Sequence, residues 1–210
     1  MPNRSIVFLK VLVHIACLTP VAWLVWNFWR ASTSTPDALG PDPIAFVTFF
    51  TGKGTLRLLV LSLAITPVRR FIPKLSWLIR FRRMLGLYAF FYACLHLLTY
   101  IWLYADFSLS AMIDDITKRR FITAGLTAWA VMLPLALTST TWSIRKLGGK
   151  NWNRLHRLAY LSAIAGAVHY WWGVKPGVTT PANITVVLFV LLAARPVLNW
   201  WSSRKRVPVT

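Results

Sequence analysis

The chain has no glutamate, only five aspartates, two cysteines and no long polar tract among its 210 residues. Without such a tract it is not a disordered protein. Cys17 and Cys94 fall in apolar stretches with unrelated surroundings, so they read as buried thiols, and no disulfide or cysteine-built metal site is implied. Charge of either sign is also missing from residues 11–29, 84–105, 121–144, 158–174 and 176–194. A helix rising ~1.5 Å per residue needs about that length to cross a ~30 Å hydrocarbon layer. What is present agrees with what is missing. Hydrophobic residues make up 57% of the chain, with 12 Trp and 12 Phe, and the mean hydropathy is +0.56, too apolar for a soluble domain.

A sixth apolar segment carries Lys53 and Arg57 in its first turns, where long basic side chains can snorkel to the headgroups. The sequence therefore predicts an all-α integral membrane protein. It is a single domain over 1–210, a bundle of six transmembrane helices near residues 9–29, 50–68, 84–105, 121–144, 157–174 and 181–201. An even number of crossings puts both termini on one side. That side collects seventeen basic residues and no acid, in Arg4, Lys10 and the segments 69–83, 145–157 and 195–206, while all five aspartates lie on the other. The positive-inside rule makes the basic side cytoplasmic. A net charge of +19 would otherwise suggest nucleic acid, but charge sorted between membrane faces excludes that reading.

The first apolar stretch runs on through Trp23, Trp26 and Trp29 without a small-residue cleavage site and is expected to be a retained helix. Ser32 to Pro43, Thr66-Pro67, Gly148-Gly149 and Pro176 to Pro181 mark loops or helix ends. Pro20 and Pro134 lie inside spans, where neighbouring helices can satisfy the carbonyls they free. Gly148-Gly149-Lys150 lacks phosphate-loop spacing and reads as a turn. Asp106 to Arg120 is polar enough for a short interfacial helix on the outer face.

The polar residues left at membrane depth are chiefly His14, His96, His156 and His169. An ionisable group there is a functional candidate, and histidine is the commonest metal ligand; a neutral imidazole bonded to a neighbouring helix is the alternative for each one. His96 lies 13 residues after Arg83, and His169 lies 13 after His156, on helices that run the same way. That puts His96 level with His169 in the outer half and Arg83 level with His156 near the cytoplasmic edge, ~20 Å away. Ala93 and Ala89 precede His96 on its face, as Gly166 and Ser162 precede His169. Such rows open a trough for a flat ligand or serve close helix packing. Tyr92, Tyr100, Tyr170, Trp171 and Trp172 stand near them. With a histidine at the outer end of each row, haem is the better explanation. Two axial imidazoles leave iron no open position, so such a haem carries electrons, and the lack of C-x-x-C-H makes it a non-covalent b-type haem. Thirteen residues turn an ideal helix to about 140° from its starting face, so His156 need not share the cavity of His169. An inner second haem would call on His156 with His14.

Several motifs then carry a family resemblance. They are Leu9-Lys10 through His14, Thr51-Gly52-Lys53, Ile65-Thr66-Pro67-Val68-Arg69, Arg82-Arg83-Met84-Leu85-Gly86-Leu87 leading to Leu95-His96-Leu97, and Trp152-Asn153-Arg154-Leu155-His156 through His169-Tyr170. Over nearly its whole length the chain resembles the ferric-reductase-like transmembrane proteins. Within them it is similar to the haem-binding membrane subunits of bacterial periplasmic methionine sulfoxide reductase systems. The resemblance implies that His96, His156 and His169 are the haem-associated histidines, at an inner (cytoplasmic) membrane. Such proteins are also described as binding FMN, for which no residue here is singled out. Larger relatives carry two histidines on each of two helices, whereas this chain has Arg83 at the fourth position.

No G-x-G-x-x-G unit occurs, so the chain is not expected to take hydride from NAD(P)H unaided. Its electrons would come from a reduced flavin, a cytoplasmic flavin reductase or membrane quinol. By the resemblance they would leave for a periplasmic MsrP-type molybdoenzyme that reduces methionine sulfoxide in oxidised proteins. The substrate chemistry would sit on that partner. The other class is a proton- or metal-handling transporter using the same histidines. It predicts inverted internal symmetry or paired broken helices, and the sequence shows neither.

Overall fold

A computed structural model describes residues 3–175 and 179–204. Pro176, Gly177 and Val178 of the expected loop, and Lys205 and Arg206 of the basic tail, lie outside the described residues. The described residues form eight α-helices and no strand: α1 Asn3–Thr33, α2 Pro43–Phe71, α3 Ile79–Leu103, α4 Leu109–Lys118, α5 Arg120–Leu137, α6 Thr141–Leu155, α7 Leu158–Gly173 and α8 Thr180–Arg204. Five helical segments are long and apolar enough to cross a membrane: Arg4–Thr33, Pro36–Phe71, Pro73–Leu103, Arg120–Leu137 and Thr180–Leu198. The expected fifth crossing, α7, is apolar but only 16 residues long.

Several helix boundaries differ from the sequence reading: Thr66-Pro67, expected as a loop or helix end, lies inside α2, and two further differences have a clear local cause. The start of α2 comes seven residues early because Pro43 occupies its first position and the Asp42 carboxylate accepts from the Ala45 amide at 2.9 Å. The stretch 121–144, expected as one helix, stops at Leu137. There Thr138 and Ser139 donate their hydroxyls to the carbonyls of Pro134 and Leu135, at 2.6 and 2.7 Å, and Thr140 caps α6 by accepting from the Ser143 amide at 3.0 Å. Hydroxyls that bond nearby backbone compete with helix continuation, and hydropathy does not register them. The helix that follows, α6, carries Arg145, Lys146, Lys150 and Arg154. Gly148 interrupts it at φ 73°, ψ 147°, backbone that only glycine adopts without strain. The short helix expected within Asp106 to Arg120 is α4, held by Tyr100 donating to Asp115 at 3.0 Å.

In the bundle α2 lies along α3 and α5 along α7, with α8 closing against α2 and α7. The core joins Leu59 and Leu63 of α2, Ala89 and Ala93 of α3, Met132 of α5, Ala163 and Ala167 of α7, and Leu188 of α8. Lipid tails are as apolar as leucine, so helices associate by close contact and interhelical hydrogen bonds, both of which favour small residues. That settles the use of the small-residue rows. Ala89 and Ala163 are 0% exposed, and the Ser162 hydroxyl donates to the Ala128 carbonyl of α5 at 3.0 Å. The rows serve helix packing and form no open trough.

Candidate functional site

One turn beyond the packed alanine Ala93, α3 presents His96, and α7 presents His169 at the same level. Their ring centroids are 5.8 Å apart with planes at 75°. The other helix of each pair fixes each ring. Nδ1 of His96 is 3.0 Å from the Thr48 carbonyl of α2, and Nδ1 of His169 is 2.6 Å from the Phe121 carbonyl of α5. A carbonyl oxygen can only accept, so both rings donate from Nδ1 and, when neutral, carry a bare lone pair on Nε2. The Thr51 hydroxyl, itself donating to the Val47 carbonyl at 2.8 Å, stands 3.3 Å from the same His96 nitrogen as a second acceptor. A ring N–H tied to a backbone carbonyl is the usual support of a metal-ligating imidazole, since it fixes both tautomer and orientation.

The spacing fits two imidazoles on opposite sides of one metal. Metal–imidazole bonds of ~2.0–2.1 Å, with a ring radius added on each side, put centroids roughly 6 Å apart. Among the described residues no group of three or more His, Cys, Asp and Glu could hold a metal ion. The donor set therefore suits a metal that brings its own equatorial ligands and asks the protein for two axial nitrogens, as haem does.

The other two histidines are not drawn into this pair. His156, in the α6–α7 turn, stacks on Trp152 with centroids 3.8 Å apart, and its Nε2 lies 3.2 Å from the Thr138 hydroxyl. That hydroxyl already donates to Pro134, so it accepts from His156, and the Nε2 lone pair is not free. Burial, with the Arg82 guanidinium adding to it, pushes the His156 imidazole down to about 4 and keeps it neutral. His14 is exposed on α1 and pairs through Nδ1 with the Tyr88 hydroxyl at 2.6 Å. Arg83, considered level with His156, is exposed as well.

The aromatic residues divide between structure and site. Tyr92 ties α3 to α1 by donating to the Cys17 carbonyl at 2.9 Å, and Trp171 donates to Thr185 of α8 at 2.7 Å. Trp172 lines an open cleft of about 250 Å³ with Arg120 and Phe121, the residue whose carbonyl holds His169. The supporting carbonyls of Thr48 and Phe121 were not foreseen, because a backbone acceptor leaves no mark on residue type.

Residues 51–167 match the family described as the ferric reductase like transmembrane component, a segment that includes Thr51, His96, Phe121 and His156 and ends two residues before His169. The chain is 46% identical over 191 residues, 91% of its length and 87% of the relative's, to the protein-methionine-sulfoxide reductase heme-binding subunit MsrQ of Xanthomonas campestris pv. campestris (strain 8004). It is 43% identical over 204 residues, 96% of its length and 89% of the relative's, to the protein of the same name from Herminiimonas arsenicoxydans. A pair of facing imidazoles on two helices of a membrane bundle is thus found in a chain that belongs to the ferric-reductase-like transmembrane family and, within it, to the MsrQ heme-binding subunits.

Proposed function

We propose that the chain is the haem b membrane subunit of a protein-methionine-sulfoxide reductase system, with His96 and His169 as the two axial ligands of one haem. The observation that carries this is the facing pair itself: two rings 5.8 Å apart, each held by a carbonyl at Nδ1 and so presenting a bare Nε2. A haem bound there would supply a one-electron iron couple. Held by these two imidazoles, a haem would serve electron transfer, and the sulfoxide chemistry would fall to a partner subunit of the MsrP type.

In this reading α7 is the fifth and shortest of six crossings of the bacterial inner membrane, and both termini are cytoplasmic. His96 and His169 then lie in the periplasmic half, on the side from which a periplasmic acceptor draws electrons. Arg145, Lys146, Lys150 and Arg154 of α6 line the cytoplasmic side, where a flavin (FMN) or flavin reductase would deliver them; membrane quinol is the other donor class. His156 stacks on Trp152 and His14 pairs with Tyr88, rather than the two rings facing each other, which supports one haem per chain over two.

Purified His96→Ala and His169→Ala variants test the ligands through the reduced-minus-oxidised Soret and α bands. Both variants are expected to lose the bands of the native protein, and unchanged bands would remove the proposed pair. A pyridine haemochrome assay with protein quantitation is expected to give about one haem per chain. The transporter reading would gain ground from a colourless native protein.

A further inference from the structure

The two supporting carbonyls share a feature that residue type does reveal. In an α-helix the carbonyl of one residue pairs with the amide four positions later. Four residues after Thr48 stands Gly52, and four after Phe121 stands Gly125. At both places the imidazole from the neighbouring helix occupies the space of the missing side chain. A Cβ added to Gly52 would come within 3.0 Å of His96 Cε1 and 3.2 Å of its Nδ1. One added to Gly125 would come within 2.7 Å of His169 Nδ1 and 2.9 Å of its Cε1. The arrangement also repeats along the chain. His96 follows Gly52 by 44 residues, and His169 follows Gly125 by 44 residues.

We propose that Gly52 and Gly125 are positioning residues, each forming a notch that uncovers the second lone pair of the carbonyl one turn before it and locks the facing imidazole as its Nδ1–H tautomer. The bundle then contains two equivalent half-units, α2 with α3 and α5 with α7, each built from a notch and the histidine that fills it. The proposal rests on the reading of His96 and His169 as axial ligands. A carbonyl accepting from Nδ1–H makes the ring a stronger donor at Nε2, which favours the oxidised metal. An alanine in either notch pushes the ring off its carbonyl and weakens that donor.

Gly52→Ala and Gly125→Ala should therefore raise the haem midpoint potential and lower haem affinity by ~10–100-fold. Ring planes 75° apart predict a highly anisotropic low-spin EPR signal in the native protein, and both variants should shift it. Gly86→Ala and Gly166→Ala are the controls. Their added Cβ atoms would meet only Ser62 Oγ and Leu56 Cδ1 at an ordinary 3.6 Å, and potential and EPR signal should stay native. Equal effects in all four variants, or none in the notch variants, would overturn the proposal. If Gly125→Ala does not accumulate, Gly52→Ala, with the milder contact, decides alone. Should His96→Ala and His169→Ala keep the haem bands, the axial reading fails separately, and the 15N shifts of the two unligated rings in the purified protein decide the notches. Nδ1–H in the native protein, disturbed by the notch alanines, supports them; Nε2–H in the native protein overturns them.

Discussion

Ser162 separates two ways in which α7 could be held on α5. Its side chain is 1% exposed and its hydroxyl donates to the Ala128 carbonyl at 3.0 Å, two turns below His169 on the same face. Ser162→Ala removes the hydrogen bond but keeps the close approach. Interhelical bonds of this kind average ~0.6 kcal/mol and reach ~1.7 in membrane bundles, so the variant should lose about that much stability and keep its haem spectrum. Ser162→Leu adds three carbons where Ala163 beside it is already 0% exposed. Overpacking a filled core costs about 1–3 kcal/mol, a factor of roughly 5 to 150 in the folding equilibrium. The wedge sits below the His96–His169 pair and should spread α5 from α7, reducing haem content as well as stability. Thermal unfolding in detergent, with haem per protein read from the Soret band, measures both. A leucine variant as stable and as fully loaded as the native protein would mean that open space lies beside Ser162, and the account of the small-residue rows as packing would be wrong.

Four further outcomes follow from the same geometry. His156→Ala should keep the low-spin signal assigned to His96 and His169, since its ring stacks on Trp152 away from that pair; EPR of the oxidised protein decides, and loss of the signal would place His156 in the pair. Thr138→Val should free the Nε2 of His156 and move its 15N shifts while leaving the haem potential unchanged. Gly148→Ala forces φ 73°, ψ 147° on a residue with a Cβ, at a cost of about 1–3 kcal/mol. It should straighten α6, which raised helicity by circular dichroism would show. Tyr100→Phe removes the contact with Asp115 that holds α4, and α4 should exchange its amide hydrogens faster with little change in the haem bands.

The all-α bundle of apolar helices and the common level of His96 and His169 could be read directly from the sequence. Each depends on the composition of a local window or on counting residues along a helix of fixed rise. The level alone did not say which histidines face each other. Facing depends on how each helix is rotated against its neighbours, and the structure turns His169 toward His96 while giving His156 to Thr138 and His14 to Tyr88. The break after Leu137 was hidden because threonine and serine hydroxyls end a helix without adding charge. The tautomers of the paired rings belong wholly to the tertiary structure. They are set by the carbonyls of Thr48 and Phe121, groups that every residue carries and that only helix packing brings to an imidazole.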